Sequence, residues 1–586
     1  YQAAEKSIAV FLDRLEKDIR PLEKSLTRNQ KERIGQYAIA QQEGGIALLQ
    51  ESGVKQIPKL TAKEFEAYDF LRQKYDEMFS GVNNVRVKIG KAPIKGIDNY
   101  FTFMRVFDFW EKAGLKFNSV FESSSHIKSE YIRAKSAPFR YGKMRKKGVK
   151  MKVETDPFKI FRSYSRAAAD HIYLSPVVAK ARQITAPIKD PLTNKFVDIR
   201  HQKPELSQFV QEWANHVAGV DVKRAPWVVR KLQGNIAISA LGANLRSAAI
   251  QTTALRNTIA EIGVNNTLKG TADLFKPSEY RAAMEKSNVL FPRNFDATIV
   301  EALGGAKNWK VGDAWKVFQR GSFIPLKTLD MLSARATWSG AYRHAKTRFK
   351  MREDAAIKYA DDVVTKTQAS GMKGDIAPIQ RSAVGKILTM FQTFVINDWQ
   401  FLVHDVLGFG KNAKLKTVMP KVVRYGLATI MFNYLYEDLL NIKSPFPRPI
   451  NALLKGLDEN KRPFRLAIDT GKELIEPIPV IGNARYGKAP FGPLVEYGSE
   501  IVTGGKYGIT PAKEIDMYLD KGRVPAKTIE LAGRAAGVPG TAQLAKMARA
   551  RKRGESLYDT ILGNYTEKDS RSSSRTRKRR SRLERR

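Results

Sequence analysis

Apolar residues along this chain recur mainly at three- and four-residue steps, the spacing that puts side chains on one face of an α-helix. Val10, Phe11, Leu15, Ile19, Leu22 and Leu26 follow it near the start. Ile238, Leu241, Leu245, Ala248, Thr252, Leu255, Ile259 and Ile262 follow it later, predicting one helix that opens after Pro226 and stops at Gly263. Ala356, Ala360, Val363 and Val364 mark another, with Asp361 and Asp362 on its polar side as surface charge. Alternating strand patterns are few. The best candidate for a short β-hairpin or extended arm is 85–97 (VRVKIGKAPIKGI). The expected fold is mainly α: an elongated multi-helix assembly with irregular Pro/Gly-rich segments and a disordered basic C-terminal tail.

Two later segments are more apolar. In 387–407, Leu388, Phe391, Val395, Trp399, Leu402 and Val406 share a stripe, with Thr389, Thr393, Asn397, Gln400 and His404 opposite. Such an aromatic amphipathic helix either lies on a membrane interface or packs into a bundle. The second, 421–442, holds Leu427, Ile430, Met431, Phe432, Tyr434 and Leu435. Its 22 residues would span about 33 Å, enough for a bilayer core. Arg424, Asn433, Glu437 and Asp438 interrupt it, and polar groups at membrane depth are costly unless paired. A stable single-span anchor is therefore not expected. Conditional insertion, a helix lining an oligomeric pore and a buried core helix all stay open.

Composition shifts suggest six regions: 1–85 helical, 86–154 mixed with a basic loop, 155–350 a helical block, 351–445 amphipathic and hydrophobic helices, 446–550 Pro/Gly-rich and helical, and 551–586 a basic tail. No internal repeat is evident.

Charge changes the picture more than length does. The 586 residues are 43% hydrophobic, enough for a sizeable core, yet carry a formal net charge of +42. That balance points to negatively charged partners. The loop at 127–152 holds ten Lys/Arg against one Glu, among them Lys143, Arg145, Lys146, Lys147 and Lys150. The tail from Arg571 holds nine against one, including Arg575, Arg577, Lys578, Arg579, Arg580 and Arg582. Such density suits phosphate contact with double-stranded DNA without base reading. A solvated tail, or one that meets an acidic partner, is the plainer alternative, but most of the net charge lies outside the tail.

The candidate chemistry is sparse. There is no cysteine, which excludes disulfide scaffolds, thiolate metal sites and cysteine nucleophiles. The six histidines lack metal-site spacing, and there is no phosphate-binding Gly-rich loop, G-x-S-x-G or H-E-x-x-H. Neither a metal nor another cofactor is expected, and the chain reads as non-enzymatic, although acid/base carboxylates need no local motif. The first twenty residues lack the apolar core of a secretory signal. A start at Tyr1 fits a processed product or part of a longer polypeptide.

The runs LDMLSARATWSGAYRHA (329–345), KYADDVVTKTQASG (358–371) and GKILTMFQTFVINDWQFL (385–402) resemble the large polyvalent proteins of tailed phages. So do NIAISALGANLRSAAIQTTALRNTIAEIG (235–263), IPVIGNARYG (478–487) and GKYGITP (505–511). The resemblance covers about 235–511. It implies an internal virion (ejection) protein, packed near the genome and released into the host envelope to help form a conduit for DNA. Its implied partners are double-stranded DNA, the host membrane, portal or other ejection proteins, and further copies of itself. The resemblance brings no catalytic residue. A capsid-internal nucleoprotein that organises DNA without membrane activity is the second expectation, and a virion-associated enzyme the third.

Overall fold

The structure is a computed structural model. It describes residues 1–42, 45–51, 53–54, 56–94, 154–189, 196–197, 199–219, 234–239, 241–244, 247–248, 251–293, 321–370, 372, 374–381, 393–409, 415–436, 526–536, 538–541 and 544. The fold is mainly α, as the periodicity predicts. The chain divides into two compact units: Tyr1–Val228 with Ala306–Trp309, and Val229–Gly305 with Lys310–Arg586. The stretch 155–350, expected to be one block, is therefore shared between them.

The first unit contains α1 (Gln2–Lys24), α2 (Arg28–Ala40), α3 (Gly45–Glu51), α4 (Ala62–Lys88), α5 (Pro157–Ile184), α6 (Ile199–Gln202) and α7 (Pro204–Ala218). A two-residue antiparallel pair, β1 (Ile188–Lys189) with β2 (Phe196–Val197), precedes α6. Local signals fix the helix starts. Thr27 and Thr61 each form a reciprocal capping box, with Gln30 and Glu64 respectively, and Asp156 accepts from the Phe158 and Lys159 amides. Ala67, Leu71, Tyr75, Met78 and Val82 run down one face of α4 onto Phe158, Phe161 and Tyr164 of α5.

On α1 the buried stripe is Ile8, Leu12, Leu15 and Ile19, whereas Val10 is exposed. The expected stripe is thus turned by part of a helical turn. Arg162 of α5 explains part of the turn: it reaches α1 at Glu16 (2.9 and 3.0 Å) and at Glu23 (2.5 Å), so acidic positions also face inward. Burial opposes its charge, but those two carboxylates outweigh it and raise its pKa.

The arm expected over 85–97 is overruled at its start. Residues 85–88 close α4, which its capping box and the α5 contacts carry through. Residues 95–97 lie outside the described residues.

The second unit contains α8 (Leu255–Ile262), α9 (Val264–Asp273), α10 (Pro277–Lys286), α11 (Ile324–Thr347), α12 (Glu353–Thr367), α13 (Thr393–Gln400), α14 (Leu415–Tyr434) and α15 (Ala526–Ala536). The single helix expected over 238–262 is broken. Residues 234–239 are helical, Ala243 adopts φ +56°, and α8 begins only at Leu255 after a 3-10 turn. A Cβ on Gly242 would lie 2.5 Å from the Ile238 carbonyl oxygen and 2.6 Å from Ser322 Oγ, so the chain bends where another segment crosses it. Gly263 does end α8, at φ +86°.

Helices α9 and α11 pack with almost no space between backbones. A Cβ on Gly270 would meet the Ala336 carbonyl oxygen at 2.1 Å, and one on Gly340 would meet the Asn266 carbonyl oxygen at 2.5 Å. The expected stripe Ala356, Ala360, Val363 and Val364 is buried on α12. Asp362 is exposed as expected, but Asp361 is not surface charge: it is only 2% exposed. It accepts from Ser287 Oγ (2.7 Å), the Asn288 amide (3.0 Å) and Trp338 Nε1 (2.9 Å), donors that other segments bring to it.

Candidate membrane-contact surface

Helix α14 is apolar on two opposite faces. Ala428, Phe432 and the following Tyr436 are buried against Ile259 of α8. On the other side Met419, Val423, Leu427, Ile430, Met431 and Tyr434 are exposed, Leu427 by 62% and Tyr434 by 66%. The steps from 419 through 423, 427 and 430 to 434 keep these side chains on one stripe. Exposed Lys416 lies on the same stripe at its N-terminal end. Exposed Leu407 and Phe409 precede the helix in sequence.

Charged groups hold the inner face. Arg256 of α8 is wholly buried, paired with Asp398 of α13 and set 4.4 Å over the Tyr425 ring of α14. Asp398 also accepts from Asn257 Nδ2 at 2.9 Å. Burial raises the Tyr425 hydroxyl pKa, and the Asp398 charge adds to the effect. Lys421 pairs with Glu261, and Arg424 Nη1 donates to the Glu261 carbonyl oxygen at 3.4 Å. Arg424, which in the sequence interrupts the apolar segment, thus serves the attachment to α8. Tyr436 and Thr252 share a hydroxyl hydrogen bond of 2.6 Å.

The preceding segment differs from its expected pattern. Helix α13 passes into a π-helix, Phe401–Val406. Phe401 and Val406, buried at its two ends, are five residues apart, a step the wider turn accommodates on one side. Trp399 and Leu402, expected on the contact stripe, are half-buried. Leu388 and Phe391 lie outside the described residues, and only the backbone of Val395 is described.

Of the second group, Leu427, Ile430, Met431 and Tyr434 are exposed together, Leu435 is half-buried, and Phe432 is turned into the core. The phase of the helix against α8 decides this division. Met419 and Val423 belong to the exposed stripe but not to the expected one. The same period continued backward would have found them. Among the described residues no helix is long and apolar enough to cross a membrane. Lys143, Arg145, Lys146, Lys147 and Lys150 lie outside the described residues, as do Arg571, Arg575, Arg577, Lys578, Arg579, Arg580 and Arg582.

The chain matches no protein-family model, no curated protein and no solved structure.

Proposed function

We propose that this chain is a non-enzymatic internal virion protein of a tailed phage, carried beside the genome and released into the host envelope. The outer face of α14 meets the membrane there and contributes to a conduit for DNA. The basic loop and tail contact DNA phosphates, and further copies and neighbouring virion proteins complete the assembly. The observation that carries the reading is the exposed stripe Met419, Val423, Leu427, Ile430 and Tyr434 on a helix whose other face is anchored. Contiguous apolar surface of this kind marks an interaction site, and a cation-ended helix suits a membrane interface.

The test is flotation of the full-length protein with anionic vesicles, washed with high salt at alkaline pH. Retention after the wash is expected, because salt screens attachment by charge alone. The V423E/L427E/I430E variant should lose the retained fraction. Complete release of the unaltered protein overturns the membrane role and favours the DNA-organising nucleoprotein, which the net charge of +42 also supports.

A further inference from the structure

The turn joining α11 to α12 carries Lys346, Arg348, Lys350 and Arg352 within seven residues (KTRFKMR), all exposed. Two flanking helices fix it. The Arg348 amide donates to the His344 carbonyl oxygen at 3.0 Å, and the Met351 amide to that of Ala345 at 3.2 Å. The Phe349 ring is held back against His344 (4.9 Å between centroids) and edge-on to Tyr359 (5.7 Å).

Two observations separate this turn from ordinary surface charge. First, the nearby carboxylates Glu353 and Glu261 are taken by other cations, Glu261 by Lys421 of α14. Glu353 pairs with Lys286 at 2.8 Å and with Lys346 at 3.5 Å, and accepts from the Tyr342 hydroxyl at 2.7 Å. Among the described residues no carboxylate lies within ion-pair distance of Arg348, Lys350 or Arg352, although exposed Asp354 follows on α12. Second, Lys350 adopts φ +48°. That region favours glycine, and a lysine there is strained. The turn keeps a long cationic side chain where glycine would relieve the backbone.

We infer that this turn is a phosphate-binding knuckle for double-stranded DNA, gripping the backbone with Arg348, Lys350 and Arg352. Guanidinium forks match phosphate oxygens, and a preset turn loses little freedom on binding. Phe349 is 48% exposed, and its ring lies against His344 and Tyr359 and braces the turn. Duplex DNA is the favoured occupant because three cations within five residues, without carboxylate partners among the described residues, match its dense, regularly spaced phosphate charge. The site uses none of the residues assigned above to the α14 stripe, the basic loop or the tail, and it stands whether or not the protein meets a membrane.

The test uses the full-length R348Q/K350Q/R352Q variant and its affinity for a duplex of random sequence over a salt series. Losing three phosphate contacts should reduce the slope of log affinity against log salt by about 2 to 3. A K269Q/K358Q/K366Q variant removes the same charge from exposed sites elsewhere on the unit and should change the slope by less than 1. Lys350→Gly keeps the backbone conformation, so it should fold at least as well and lower the slope by about 1. Equal slopes for the two triple variants overturn the proposal. So does loss of anionic-vesicle binding in the turn variant with its DNA slope unchanged, which would make the turn a lipid contact.

Discussion

Arg256 on α8 and Asp398 on α13 are 142 positions apart and form a buried ion pair, with the guanidinium fully enclosed and lying on the Tyr425 ring. One cation thereby ties three segments together and fixes which face of α14 is turned outward. Asp398→Ala should cost about 3 to 5 kcal/mol, because it leaves a buried charge without its partner. The R256M/D398L pair should lose much less. Chemical denaturation of both variants checks this, and a double-mutant cycle gives the coupling.

The two faces of α14 should respond oppositely to change. Phe432→Ala empties a buried position and should cost about 3 to 5 kcal/mol. Leu427→Gln, on the exposed stripe, should stay within about 0.5 kcal/mol. Thermal unfolding of the two variants separates anchored from presented residues. Similar losses would mean that the outer stripe is covered.

Gly270 and Gly340 set the approach of α9 to α11. Gly270→Ala places a methyl group against backbone on the facing helix and should cost about 1 to 3 kcal/mol, despite the better helix propensity of alanine. A melting temperature equal to that of the unaltered protein would show that the crossing can widen without loss.

Asp361 carries a pH signature. Burial raises its pKa above the ordinary 3.8, only partly offset by the bonds from Ser287, Asn288 and Trp338. A carboxyl group raised in the folded state favours folding most when protonated. Its contribution is fully present below the unfolded pKa and is lost as pH rises through the folded one. The unfolding free energy of Asp361→Asn, subtracted from that of the unaltered protein, should therefore become more favourable to the latter as pH falls from neutral toward 4. A difference independent of pH would show that Asp361 does not titrate in that window.

Some of the fold was plain in the sequence. The stripe Ala356, Ala360, Val363 and Val364 is buried as its spacing requires, and Gly263 ends its helix at a positive φ. These features depend on neighbours within a turn or two. The break at Gly242 was hidden because the apolar period runs on through it, and only the crossing segment at Ser322 shows why the backbone must bend. The π-helix at 401–406 was hidden likewise, since a period of 3.6 assumes an unbroken α-helix. On the candidate surface, helical spacing placed Leu427, Ile430 and Tyr434 together but could not separate them from Phe432, which adjoins Met431 in the chain.

By itself the sequence determined that this protein is mainly helical, strongly basic and without cysteine, because period, charge and residue type are properties of the chain alone. The tertiary structure decided which carboxylates are buried and which apolar face is presented. Asp361 lies beside Ser287 and Trp338, and Asp398 beside Arg256, only after distant helices pack. Helix α14 is apolar on two opposite faces, so its own pattern does not say which of them is inside. Its phase is set by Arg256 and Ile259 on α8, and that contact leaves Leu427 and Tyr434 outside.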